Sequence, residues 1–182
     1  MSTLPAVTSN NPAEQLYERV RSHGIDFFVS VPCSLLGEVI EILEGDTEVT
    51  YTPVTREEEG IGVLAGAYLA GRRPAIVMQN SGYGNIVNAV CSLVNYYSIP
   101  IVMLVSHRGS AGERIEAQVP MGNVVQGVME ASGVKCVPIA HPSDLDGVDE
   151  GIEWALAEEK SIAFLFPFSF WQDAETYVPE HR

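Results

Sequence analysis

The sequence predicts an α/β protein: a doubly wound, mainly parallel sheet of about six strands with helices on both faces. Three observations carry this. Six short apolar runs recur, DFFVSV (26–31), TEVTYTPV (47–54), PAIVM (74–78), IPIVMLVS (99–106), VKCVPIA (134–140) and SIAFLFPF (161–168). Most are near-continuous rather than alternating, which suits strands buried on both faces of a parallel sheet. Segments of helical character lie between them, at 35–43, 57–70, 85–97, 121–132 and 143–158. Strands alternating with helices imply βαβ units with right-handed crossovers. Finally, 182 residues suit one domain with a real core and are too few for two ordinary ones.

The elements follow in order. Residues 12–23 carry Ala13, Leu16 and Val20 at helical spacing, with Asn11 as a cap and Gly24 just past the end. We expect residues 1–11 to form an arm, 12–170 the domain and 171–182 a polar tail. In a doubly wound fold, ligands gather beyond the carboxyl ends of the strands. The chemistry is therefore expected in the loops that start at Pro32, Thr55, Gln79 and His107.

Composition narrows the function. With 24 acidic against 10 basic residues the formal charge is −14, which disfavours nucleic acid and anionic membranes as partners. No apolar run approaches the roughly 20 residues of a membrane span. The start, MSTLPAVTSNNP, reads as a loose polar arm rather than a signal peptide, so a soluble, cytoplasmic protein is expected. Cys33, Cys91 and Cys136 lack metal-like spacing and read as buried free thiols of a reducing compartment.

Each strand-end loop admits a functional and a structural reading. In VPCSLL (31–36), Cys33 at a helix start could be a nucleophile with His107 as its base, or a loop cysteine before a serine cap at Ser34. In TREEEGIGVLAGAYLAG (55–71), three carboxylates open a helix of small apolar residues. They either complement the helix dipole as solvated charges or include one desolvated glutamate suited to proton transfer. In Gln79–Asn85, Gly82-Tyr83-Gly84 lacks the third glycine of a dinucleotide fingerprint, and no Walker lysine follows, so a phosphate cradle is weakly supported. Gln79, Asn80, Ser81 and Asn85 instead offer neutral donors and acceptors. The long loop 106–120 gathers His107, Arg108 and Arg114 as candidate contacts for an anionic substrate, with pairing to Glu113 or Glu116 as the structural alternative.

In series, VPCSLL, TREEEGIGVLAGAYLAG, MQNSGYGNIVNAV (78–90) and HRGSAGERIEAQ (107–118) resemble the pyrimidine-binding domain of thiamine diphosphate enzymes. The resemblance is narrower still to the alpha subunits of sulfopyruvate decarboxylases and the related phosphonopyruvate decarboxylases. It implies a decarboxylase of 2-keto acids, here sulfopyruvate to sulfoacetaldehyde and carbon dioxide in coenzyme M synthesis, or phosphonopyruvate as the alternative. It also implies a glutamate that hydrogen-bonds N1′ of the cofactor's aminopyrimidine and favours its imino tautomer, while the cofactor ring accepts the electrons released. Glu57, nine residues before Gly66 and three after Val54, matches that glutamate; Glu58, ten before Tyr68, is the other register.

By the same resemblance, Gln79, Asn80, Ser81 and Gly82 lie beside the aminopyrimidine, with Gln118 near its reaction face. Pro32, Cys33, Ser34, His107 and Arg108 are the expected substrate contacts. The phosphonate enzymes carry an aspartate and a histidine where this chain has Cys33 and Val119, and a fully ionised sulfonate is compatible with that change. The family holds diphosphate and Mg2+ on a domain marked by Gly-Asp-Gly. Here the only Gly-Asp, Gly45-Asp46, is followed by Thr47. No metal site is expected on this chain, and a second subunit is expected to bring the diphosphate and Mg2+ site, in a hetero-oligomer. The face of small residues around Gly60 to Gly71 is the expected contact. A noncatalytic subunit that keeps the fold without the chemistry is a further alternative.

Overall fold

A computed structural model describes residues 9–171. The expected arm lies outside the described residues up to residue 8, and the expected tail lies outside them beyond Trp171. The elements are α1 (Pro12–Ser22), β1 (Phe27–Ser30), a 3-10 turn (Ser34–Leu36), α2 (Gly37–Gly45), β2 (Thr50–Pro53) and α3 (Glu57–Leu69). Then follow β3 (Pro74–Gln79), α4 (Asn80–Ala89) with a π-helical extension (Val90–Val94), β4 (Val102–Ser106), and α5 (Val119–Ala131) after a 3-10 turn (Glu116–Gln118). The rest are β5 (Lys135–Pro138), a 3-10 turn (Pro142–Asp144), α6 (Asp146–Glu158), β6 (Ile162–Phe166) and the short α7 (Phe168–Trp171).

All six expected strands form one sheet in the order β2-β1-β3-β4-β6-β5, every pair parallel. Alternation along each strand feeds two cores. Phe28, Val77, Leu104 and Phe164 pack with Leu16, Leu36 and Ile152 of α1, the first turn and α6. Val29, Ile76, Met103 and Leu165 pack with Ile61, Ile86 and Met129 of α3, α4 and α5. Helices thus cover both faces, as the near-continuous apolar runs predict.

Local chemistry sets the helix ends. The Asn11 side chain accepts from the Ala13 amide at 2.8 Å with Pro12 at the first position, and Gly24, at φ +76°, ends the segment. The largest departure from expectation is at Gln79–Asn85. There is no glycine turn: β3 passes straight into α4, with Gln79 as the cap residue and both Gly82 and Gly84 inside the first helical turns. Trp171, expected at the start of the tail, is instead 7% exposed in α7. Cys33 is buried, but Cys136 is partly exposed and Cys91 exposed, since α4 turns position 91 outward. No helix among the described residues is long and apolar enough to cross a membrane.

Two glycines separate close packing from mere composition. A Cβ on Gly151 of α6 would lie 2.6 Å from the Phe164 ring and 2.7 Å from Ile162, whereas one on Gly127 of α5 would meet nothing within 4 Å. Gly151→Ala should therefore lower the unfolding free energy by about 1–3 kcal/mol through overpacking. Gly127→Ala should raise it by about 0.5–1 kcal/mol through helix propensity. Denaturant melts of the two variants check both signs.

Candidate active site

Chain direction reverses between β1 and β3: β1 leads outward to β2, and the chain returns to place β3 on the other side of β1. The crevice outside such a switch point is where doubly wound folds bind ligands. Here its rim is made by Cys33 after β1, Glu57 after β2, Gln79 at the end of β3 and Ser106 at the end of β4, with Gln79 and Ser106 in register.

Among the three glutamates of α3, one is distinguished. Glu57 is 8% exposed. Glu58 is exposed, 3.9 Å from Arg56, and the exposed Glu59 caps its own helix by accepting from the amide and hydroxyl of Thr55. The Glu57 carboxylate lies against Gly82 of α4, where a Cβ would come within 2.6 Å of its Cγ and Cδ. Its Oε2 accepts from Asn85 Nδ2 at 3.0 Å, and its Oε1 accepts no hydrogen bond among the described residues. Gly82 and Asn85, three residues apart on one face of α4, thus seat a single carboxylate. Asn85 was read only as one of several neutral polar groups. The i, i+3 pairing of a glycine with an asparagine opposite an acidic helix start is the signal that would have singled it out.

Around this carboxylate, neutral groups interlock. Gln79 Nε2 donates to Ser81 Oγ at 2.7 Å and to Gln118 Oε1 at 2.9 Å. Cys33 Sγ lies 3.8 Å from Gln79 Oε1 and 3.1 Å from Ser106 Oγ. Pro32 and Ser34 are exposed beside it. His107 does not meet Cys33: its Nε2 is 3.0 Å from the Gly122 carbonyl. The nucleophile pairing is therefore not assembled. Asn80, expected to face a ligand, is fully buried with both ends of its amide on the Arg108 backbone. It brackets two loops rather than lining the crevice.

Arg108 follows the structural alternative weighed for it, with Glu113 as partner. The Glu113 carboxylate accepts from Arg108 Nε and Nη2 at 2.7 and 2.9 Å, and from the amides of Gly109, Arg114 and Ile115. The guanidinium also lies over the Phe168 ring, 5.6 Å from its centroid. The long loop is thus wound around one acid, and Arg114 is left exposed. A cavity of about 350 Å3 lined by Val94, Asn95, Gly133 and Lys160 lies at the amino ends of β4 and β6, the wrong end of the sheet for these residues.

A thiamine-type ligand can be tested against this geometry. A buried carboxylate with one oxygen held by Asn85 and the other accepting no hydrogen bond among the described residues fits a heterocycle whose ring nitrogen seeks a hydrogen bond. The chain belongs to the thiamine pyrophosphate enzymes: residues 10–134 match the family described as thiamine pyrophosphate enzyme, N-terminal TPP binding domain. Within that class it falls in the sulfopyruvate decarboxylase family. The sulfopyruvate decarboxylase subunit alpha of Methanothermobacter thermautotrophicus is 44% identical over 160 residues, 87% of this chain and 97% of that one. The sulfopyruvate decarboxylase of Methanosarcina acetivorans is 33% identical over 91% of this chain, which spans 42% of its length. Among solved structures, a 2-oxoglutarate:ferredoxin oxidoreductase from Magnetococcus marinus shares the fold at TM-score 0.70 and 13% identity, over 88% of this chain and 29% of that one.

Two outcomes follow. The hydrogen bonds from Arg108, foremost, hold Glu113 down to about 2 from the ordinary 4.5. A carboxyl with a lower pKa folded than unfolded stabilises the fold above the unfolded value and loses that contribution as pH falls from about 4.5 to 2. Glu113→Gln should cost roughly 2 kcal/mol at pH 7, and the gap from wild type should close across that window in denaturant melts run at stepped pH. At the other element, Gly82→Ala should destabilise by about 1–3 kcal/mol by displacing Glu57. Gly84→Ala, whose Cβ would meet Met121 at 3.7 Å, should not.

Proposed function

We propose that this chain is the pyrimidine-binding subunit of a thiamine diphosphate-dependent 2-keto acid decarboxylase that converts sulfopyruvate to sulfoacetaldehyde and carbon dioxide, in the cytoplasm and in coenzyme M synthesis. In this reading the working domain runs from residue 12 through the buried Trp171, residues 1–11 are an arm and those beyond Trp171 a tail. The single observation that carries it is the Glu57 seat: one carboxylate, out of three in sequence, buried between α3 and α4 with Oε1 accepting no hydrogen bond among the described residues. That seat also favours Glu57 over the Glu58 register.

Thiamine diphosphate, when bound, would supply the electron sink for decarboxylation. Everything else falls to side chains. Glu57 would hold the aminopyrimidine's ring nitrogen through Oε1. Asn85 fixes the opposite oxygen so that the proton moves at a defined atom. Gly82 leaves the room in which the Glu57 carboxylate sits, and Gln79, Ser81 and Gln118 would form the neutral rim. Asn80 acts one step back, by locking the Arg108 backbone. Pro32, Cys33, Ser34 and His107 stand nearest the substrate entry, while Arg108 orders the loop through Glu113.

The diphosphate and Mg2+ belong, in this reading, to a second subunit. Three features support it: the absence of Gly-Asp-Gly from the sequence, the single-chain relative of more than twice this length, and the outer face of α3. On that face Gly62 and Gly66 are open, and Leu69 is 78% exposed. Purified with its partner, thiamine diphosphate and Mg2+, the chain should release carbon dioxide from sulfopyruvate in preference to phosphonopyruvate or pyruvate. Glu57→Gln should lower kcat at least 100-fold, the scale of a lost proton-transfer group, and Glu58→Gln should leave it within about twofold of wild type. Near-normal turnover by Glu57→Gln would sink the catalytic assignment in favour of a noncatalytic subunit, and a preference for phosphonopyruvate would overturn the substrate.

A further inference from the structure

The polar side chains on the crevice rim form one connected line, Ser106 to Cys33 to Gln79 to Gln118, and its buried end fixes its direction. Ser106 Oγ is fully buried, with the Cys33 sulfur at 3.1 Å as its side-chain partner. A buried hydroxyl that gives up its proton to no acceptor is costly, so Ser106 donates to that sulfur. The Cys33 S–H is left to point at Gln79 Oε1, 3.8 Å away. A thiol is a weak donor, yet it decides the outcome because the other end of the Gln79 amide meets adaptable groups. The Ser81 hydroxyl at 2.7 Å can give or accept, and the Gln118 amide at 2.9 Å can turn over. With Gln79 Oε1 held toward Cys33, Gln79 Nε2 donates to both, and Gln118 must accept through Oε1. Its Nε2 is then the end with no partner among the described residues.

We propose that Cys33 and Gln79 are positioning residues that hold Gln118 as a hydrogen-bond donor to an anionic oxygen of the substrate. The proposal rests on the decarboxylase reading above and makes the site selective for acidic oxygens through a neutral amide of fixed polarity. Arg108, the charged alternative in the same loop, has its Nε and Nη2 on Glu113.

The test uses the assembled complex with its cofactor and 3-sulfopropionate, a dianion without the keto carbon, titrated by calorimetry. Cys33→Ala should weaken its binding about tenfold, the loss of one oriented hydrogen bond. Cys33→Ser, which can still accept from Ser106 and donate to Gln79, should stay within about twofold of wild type. Gln118→Glu, which exchanges the donor for a like charge, should weaken it about 100-fold. Thiamine diphosphate affinity should be unchanged in Cys33→Ala and Cys33→Ser, and in turnover the effect of Cys33→Ala should fall on KM rather than kcat. Succinate and ethane-1,2-disulfonate, run in parallel, identify which acid group meets Gln118. Wild-type affinity in Cys33→Ala, or equal losses in Cys33→Ala and Cys33→Ser, would overturn the relay, as would a parallel fall in cofactor affinity. Normal turnover by Glu57→Gln would instead overturn the decarboxylase reading, while the calorimetry would still report on the relay.

Discussion

The Glu57 carboxylate occupies space that a Cβ on Gly82 would need, and this contact governs how α3 and α4 meet over the carboxyl ends of the central strands. Because α4 leaves β3 without an intervening turn, its first residues cannot swing away from the acid. The helix is pinned again by Asn80 on the Arg108 backbone and by Tyr83, whose hydroxyl meets Ser132 at 2.6 Å in the core beside α5. A side chain desolvated between two helices costs free energy unless its oxygens are served. Asn85 serves one, and leaving the other open is what makes the seat a site rather than a packing detail.

Loop 107–118 shows how the same economy works at longer range. An ordinary connection would be two to six residues, and loops this long tend to be either functional or mobile. Here Glu113 draws Arg108 and three backbone amides inward, and Gly109, at φ +82°, lets the chain turn so closely that a Cβ on Gly122 would come within 2.8 Å of it. An acid thus does inside the loop what a helix cap does at a helix end. The consequence is positional: Gln118, the last residue of the turn before α5, arrives at Gln79 by the order of the loop, not by its own packing.

Most of the fold is legible in the sequence because strands buried on both faces leave near-continuous apolar runs, as β3, β4 and β6 do, while the outer strands β2 and β5 are only partly buried. The misreadings share a cause. Gly82 and Gly84 beside Asn80 and Asn85 look like turn chemistry, but glycine also serves close approach inside a helix, and only the neighbour across the gap distinguishes the two. That neighbour, Glu57, lies 25 residues back in sequence. The choice of Glu57 over Glu58 came from family spacing, and burial points the same way. The partner of Arg108 stood among weighed alternatives, since an arginine in an acidic chain can be spent on either a ligand or a loop. The role of Ser106 has no signal in local sequence; it depends on which strand ends become neighbours.

The charge balance then constrains how a site of this kind can work. A chain of formal charge −14 repels a small dianion at distance, but at physiological ionic strength that repulsion fades beyond about 8 Å. Contact chemistry therefore decides binding, and the groups on this rim are mostly amides, a hydroxyl and a thiol. Arg108 is balanced by Glu113, with side-chain exposures of only 10% and 2%, so its charge is largely compensated before any ligand arrives. An arrangement like this can orient an anion but cannot neutralise one. In the proposed complex the compensating positive charge for both the diphosphate and the departing carboxylate has to come from across the interface. In that proposed division this chain would hold the neutral, geometry-critical half of the chemistry, and a charged partner surface would attract it.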